Sequence, residues 1–312
     1  MAGPIVRYTD IALEIENRTI TLDKFSYGVS RFVQGLAKKV FIANTAGSIA
    51  TQFLDNGFTD LTISGAWFGI TMFAFQIYFD FSGYSDMAIG LGRMFGFTYK
   101  ENFNYPYIAN SATEFWRRWH ISLGSFFRDY VYIPLGGNRR LQFRNLLVVW
   151  FLTGLWHGAS WNFVVWGMFY GVLILVEKVA LLKIFKKLPR VISHIYLLVA
   201  MLVGWVFFYF ADLSEGINFI KIMFGLGNVE IFNTEFLIHF MNNIVFLALA
   251  TIASTPVLKG LYNKATNCLP ENKTLQLKLD GVLDAVIVAI VLWISTAFLV
   301  GESYNPFLYF RF

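Results

Sequence analysis

Three observations predict an all-α, polytopic integral membrane protein. The 312-residue chain is 56% hydrophobic. Only 14% of it is charged, where a soluble domain carries about 25%. Apolar runs of about 20 residues recur, each long enough to cross a bilayer as a helix.

The composition also excludes other classes. A formal charge of +5 calls for no nucleic acid, because basic loops collect on the cytoplasmic side of a membrane. The single cysteine, Cys268, allows no internal disulfide and no Cys-based metal site; it reads as a bystander rather than a nucleophile. No histidine pair stands at i, i+4, so no metal is expected, and there is no Gly-x-Ser-x-Gly elbow. Residues 1–23 are polar and lack the apolar core of a cleavable signal, so insertion is expected to rely on internal helices.

Along the chain, Asp23 is placed to cap a helix starting at Lys24. Apolar residues recur over 25–54, interrupted by Arg31, Lys38 and Lys39. This predicts an amphipathic interfacial stretch, then a short membrane helix near 40–54. Residues 61–79 read as a spanning helix. They run into Asp80 and Asp86, where a break at Ser82-Gly83 is expected. The two acids either line an internal cavity or sit at a capped junction near the interface. Gly83, Gly90, Gly92 and Gly96 suit close helix contact in lipid.

Residues 93–144 carry eight Lys or Arg against three acids and only short apolar runs, so they are expected to form a basic cytoplasmic or re-entrant region. Phe115, Trp119, Phe126 and Tyr130 fall on one stripe if 114–132 is helical, which favours packing over a ligand box. Residues 133–138 (I-P-L-G-G-N) read as a tight turn. The alternative, an anion held on Gly-Gly-Asn and the following arginines, has no phosphate-loop pattern to support it.

Residues 146–176 hold no acidic or basic side chain except His157. That run is too long for one ordinary span and too short for two. Both flanks are basic, so the segment is expected to enter and return as a broken helical hairpin that turns at 157–160. Its first limb, 146–156, would reach only about 16 Å, leaving His157 inside the membrane. Irregular backbone there must be buried in protein or line a cavity. Residues 191–211, 236–255 and 282–299 are further spans. The acidic loop 212–235 is expected outside and the basic stretch 256–279 inside.

His120 and His157 each follow a tryptophan. Histidine takes and returns a proton near neutral pH, so His157 in a wet pocket could deprotonate a hydroxyl for attack on a thioester or ester carbonyl. Trp156 and Trp161 would wall that pocket, with Trp119 as a further pocket residue. Asn162 would orient the ring or donate to an oxyanion. The competing reading is a helix–helix hydrogen bond. His120, beside Arg117 and Arg118, could equally sit at the interface. His194 and His239, near helix ends, need no role.

The runs F-W-R-R-W-H-I-S-L at 115–123, R-D-Y-V-Y-I-P-L-G-G-N-R at 128–139 and L-W-H-G-A-S-W at 155–161 resemble the membrane-bound O-acyltransferases. The polysaccharide-acetylating branch typified by the alginate O-acetyltransferase membrane subunit is the nearest in pattern. A-G-P-I-V-R-Y at 2–8, Y-F-D-F-S-G-Y-S-D-M-A-I-G at 78–90 and Y-F-R-F at 309–312 extend the likeness almost end to end.

The resemblance implies a ring of tilted helices around a central funnel with re-entrant segments. It implies His157 as the catalytic histidine and His120 as a second functional one. It implies acetyl-CoA or another acyl thioester as donor, with no bound cofactor, and a polysaccharide acceptor. An extracytoplasmic acetyltransferase partner and a multi-pass location in the bacterial inner membrane also follow. Arg117, Arg118 and Arg128, in the basic region, would dock the anionic donor. In the sister branch the acyl group is D-alanyl and the acceptor teichoic acid. Because A-G-P-I-V-R-Y is internal in the family, 1–312 is expected to be one acyltransferase domain matching its C-terminal two-thirds. Two other classes make distinct predictions: a proton-relaying transporter, with flux but no acyl transfer, and a non-catalytic scaffold, whose partner recruitment survives loss of His157.

Overall fold

A computed structural model describes residues 4–267, 273–301 and 307–308; Cys268 and the terminal Y-F-R-F lie outside the described residues. Every described element is helical. In chain order they are α1 (Tyr8–Asn17), α2 (Leu22–Ala37), α3 (Asn44–Leu54), α4 (Ile63–Met94), α5 (Ala112–Arg118), α6 (Ile121–Phe127), α7 (Gln142–His157), α8 (Trp161–Val176), α9 (Leu182–Phe185), α10 (Arg190–Tyr209), α11 (Leu213–Met223), α12 (Thr234–Ala253), α13 (Val257–Asn267) and α14 (Lys273–Gly301). Among the described residues, Arg190–Tyr209, Thr234–Ala253 and Gly281–Gly301 are long and apolar enough to cross a membrane. In the last two windows only 6% of residues are buried, so their apolar side chains face outward, as lipid-facing helices require.

The described chain falls into two compact units. The first comprises Met1–Thr45, Phe75–Asn102 and Ala248–Arg311. Within it α2 and α4 meet along glycines spaced seven apart on each helix. A Cβ on Gly28 would lie 2.6 Å from the Gly90 carbonyl oxygen, and one on Gly35 would lie 2.4 Å from that of Gly83. Small residues thus let the two backbones touch, as in helix pairs within lipid.

The cations that interrupt the apolar run over 25–54 become partners for the acids of α4. Arg31 donates to Asp86 Oδ1 at 2.7 Å and to Glu101 at 2.5 Å. Lys38 reaches Asp86 Oδ2 and Lys39 reaches Asp80 Oδ1, each at 2.6 Å. The other Asp80 oxygen accepts the Leu308 N–H at 2.7 Å. A π-helical turn at Lys38–Ala43 carries α2 into α3.

This arrangement corrects two expectations. There is no break at Ser82-Gly83, because α4 runs unbroken for 32 residues. Asp80 and Asp86 therefore cap no junction; they are ion-paired to neighbouring cations. The reason is tertiary: opposite charges on the adjoining segments offset part of the cost of burying them. Losing one partner of the buried Lys39–Asp80 pair should be costly. Lys39→Met is expected to destabilise the protein by about 3–5 kcal/mol and Lys39→Met with Asp80→Leu by clearly less, measured by thermal unfolding in detergent.

Smaller corrections concern helix ends. Thr21, not Asp23, caps α2, its hydroxyl accepting the Lys24 N–H at 3.2 Å. Asp23 lies in the first turn instead. The loop expected over 212–235 contains α11, capped by Asp212 through the Ser214 N–H at 2.7 Å.

The second unit comprises Ala46–Ala74 and Phe103–Leu247. α7 and α8 lie in it, joined by a turn over Gly158–Ser160. The first limb starts at Gln142, four residues before the uncharged run, so α7 is about 24 Å long. The limbs touch at Gly154 and Gly167: a Cβ on either would lie 2.4 Å from a carbonyl oxygen of the opposite limb. The turn over 133–139 is a plain turn. Asn145, fully buried, donates to the carbonyls of Leu135, Gly137 and Arg140 at 3.2, 3.1 and 2.7 Å. Gly136 and Gly137 adopt positive φ there, which glycine does without steric cost.

Candidate active site

The stretch predicted as one helical stripe over 114–132 is two short helices. α5 stops at Arg118, and His120 takes a left-handed backbone, φ 46° and ψ 52°. Phe115 and Trp119 therefore stack on each other at 5.5 Å, while Phe126 and Tyr130 form a separate pair at 4.9 Å. A left-handed conformation costs a non-glycine residue about 1–3 kcal/mol, and such residues cluster at functional sites. Here it turns the His120 ring inward. The side chain is 3% exposed, with Nδ1 3.4 Å from the Ser122 hydroxyl.

His157 is the last residue of α7, and Gly158 ends the helix directly after it. The ring is enclosed by four aromatic side chains: Trp156 and Trp166 at 4.9 Å, Phe208 at 5.3 Å and Phe163 at 6.1 Å. It is only half-buried, and it makes no side-chain hydrogen bond among the described residues. Trp156 joins the two histidines, its ring 5.9 Å from that of His120.

The remaining predicted residues divide. Trp156 packs on the rings of both His157 and His120. Trp161 does not: it is 74% exposed at the start of α8, and Phe163, Trp166 and Phe208 take its place. The cause is helical phase, since residues two and five further along α8 face the hairpin core. Asn162 is buried, but its amide donates to the Phe207 carbonyl of α10 at 3.3 Å, a strut between helices rather than a hold on the ring. Trp119 is buried on Phe103, Phe115 and Trp205. Six of the nine tryptophans pack around α5, α7, α8 and α10, and the indole N–H of Trp166, beside His157, is buried without an acceptor.

The three arginines differ in what they have left to offer. Arg118 is tied to Glu114 at 2.8 Å and to the Asn104 carbonyl at 3.2 Å. Arg128 is paired with Asp129 at 2.7 Å. Arg117 is exposed and makes no ion pair among the described residues. It lies near half-buried Lys178, whose ammonium is pulled below the usual lysine range by partial burial and then by the Arg117 charge.

A profile of the membrane-bound O-acyltransferase family matches residues 1–213, a stretch that holds both histidines and the whole hairpin. The chain belongs to the membrane-bound O-acyltransferase family. All of it aligns with a protein of Azotobacter vinelandii named "Probable alginate O-acetylase", 38% identical and covered over 67% of its length. A Pseudomonas putida protein of the same name is 39% identical over all of this chain and 66% of its own length. The "Peptidoglycan O-acetyltransferase" of Helicobacter pylori is 34% identical over all of this chain and 62% of its own. The chain therefore spans about two-thirds of these relatives, and the similarity places it with the polysaccharide O-acetyltransferase branch.

Two residues of this site escaped the sequence reading. Asn145, just before the uncharged run, carries no motif, yet it pins the 133–140 turn. Glu177 is fully buried; its one signal in the sequence is being the acid that directly follows a 31-residue run without a formal charge apart from His157.

Proposed function

We propose that this protein is a membrane O-acyltransferase subunit of the bacterial inner membrane. It moves an acetyl group from a cytoplasmic thioester such as acetyl-CoA toward a hydroxyl of an exported polysaccharide, with His157 as general base. The observation that carries this reading is the His157 ring: at the end of α7 beside the hairpin turn, partly buried, walled by aromatic rings, with no side-chain hydrogen bond to its nitrogens among the described residues. A free ring nitrogen takes the hydroxyl proton as the oxygen attacks the acyl carbonyl. The thiolate leaves and is reprotonated, so one acyl–oxygen bond replaces one acyl–sulfur bond. The aromatic walls keep bulk water from competing. Family membership supports a ring of tilted helices around a funnel, and an extracytoplasmic partner that completes transfer.

Donor docking falls to Arg117 and Lys178 in this reading, because Arg118 and Arg128 are already neutralised. Arg117→Glu with Lys178→Glu is expected to raise the KM for the thioester about tenfold with kcat little changed, in transfer assays on reconstituted protein.

The deciding experiment measures polysaccharide acetyl ester in a strain that depends on this chain for it, beside a strain carrying His157→Ala. Ester with the first and none with the second supports the proposal. No ester with either, at normal membrane levels, overturns it.

A further inference from the structure

We infer that Glu177 is a positioning residue that holds the two histidine-bearing elements in register, an inference that rests on the acyl-transfer reading. Its carboxylate lies at the C-terminal end of α8, where the chain enters a π-helical turn, and its side chain is fully buried. One oxygen accepts the Ala112 N–H at 2.6 Å. The other accepts the Thr113 N–H at 2.8 Å and the Thr113 hydroxyl at 2.7 Å.

Those two N–H groups open α5 and have no acceptor within the helix. The next one, of Glu114, goes to the Ser111 hydroxyl at 3.1 Å. At seven residues, α5 is far too short to persist alone. It exists where a charge-assisted grip from α8 nucleates it, with the carboxylate on the positive end of the helix.

The consequence is geometric. α5 leads directly into Trp119 and His120. The opposite end of α8 carries Phe163 and Trp166, which pack on the His157 ring. One helix therefore contacts His157 at its start and holds the His120 element at its finish. Glu177 fixes the spacing between the two imidazoles without touching either.

The test uses the full chain purified in detergent, as wild type, Glu177→Gln and Glu177→Ala. Diethyl pyrocarbonate labelling is followed separately at His120 and His157 by mass spectrometry. His120 is expected to be protected in wild type and to react about tenfold faster in Glu177→Ala as α5 opens locally. Glu177→Gln, which keeps one acceptor oxygen, should lie between. His157 labelling should stay constant in all three. In parallel, kcat for acyl transfer should fall about 100-fold in Glu177→Ala, as a misplaced group of about 1 Å demands, with donor KM nearly unchanged.

Unchanged His120 labelling in both variants overturns the inference, as does a raised KM with wild-type kcat. If Glu177→Ala fails to accumulate, Glu177→Gln decides on the same criteria. Altered His120 labelling together with a wild-type chain that transfers no acyl group would leave the positioning role intact and remove only the acyltransferase reading.

Discussion

His157→Ala is expected to lower acyl transfer by about 10²–10⁴-fold, the usual contribution of a general base, while the protein accumulates normally in membranes. The two halves of that expectation have separate grounds. The ring's nitrogens serve no structural bond among the described residues, so truncation orphans no partner. What is lost is a partly buried imidazole in an aromatic cage, the group on which the proposed proton transfer depends. His120→Ala should behave differently. Its ring is buried against Trp156 and Ser122, and truncation leaves a cavity beside a strained turn. Membrane abundance should therefore fall together with activity. Acetyl ester formed per unit of membrane-inserted protein separates the two cases: a drop that persists after normalisation marks the base.

A leucine at Gly154 is expected to prevent the hairpin from forming. The obstacle to its Cβ is the Phe163 carbonyl oxygen at 2.4 Å, which is backbone and cannot rotate away. Overpacking against movable side chains costs about 1–3 kcal/mol; against the backbone of the opposite limb the cost should exceed that range. Gly167→Leu meets the Trp150 carbonyl in the same way and should fail equally. Gly260→Ala is the control, since nothing lies within 4 Å of its added Cβ, and it should be neutral or stabilising by about 0.4–1 kcal/mol. Membrane abundance and thermal aggregation in detergent would report all three. Normal levels of Gly154→Leu would show that the limbs are not held by this contact.

The hairpin was the most legible part of the site. A long uncharged run with basic flanks pointed to an interruption, and the helices α7 and α8 are separated at Gly158–Ser160. The late spans were legible for the same reason: length and apolarity alone decide which segments lipid accepts. The α4 acids were misread because their cations lie on α2 and the π-helical turn that follows it, some 50 residues away. Trp161 was misread because sequence adjacency to His157 says nothing about which side of α8 a ring occupies.

The sequence by itself determined an all-helical membrane protein, a broken hairpin and a histidine placed at its turn. These follow from local rules: hydropathy sets spans, charge sets sides and glycine marks turns. Only the tertiary structure decided that Lys39 and Asp80 neutralise each other and that Glu177 starts α5. It alone brought Phe163, Trp166 and Phe208 around the ring. Those features are contacts between residues far apart in the chain, and no periodicity within a single helix encodes which distant partner a buried charge or ring will meet.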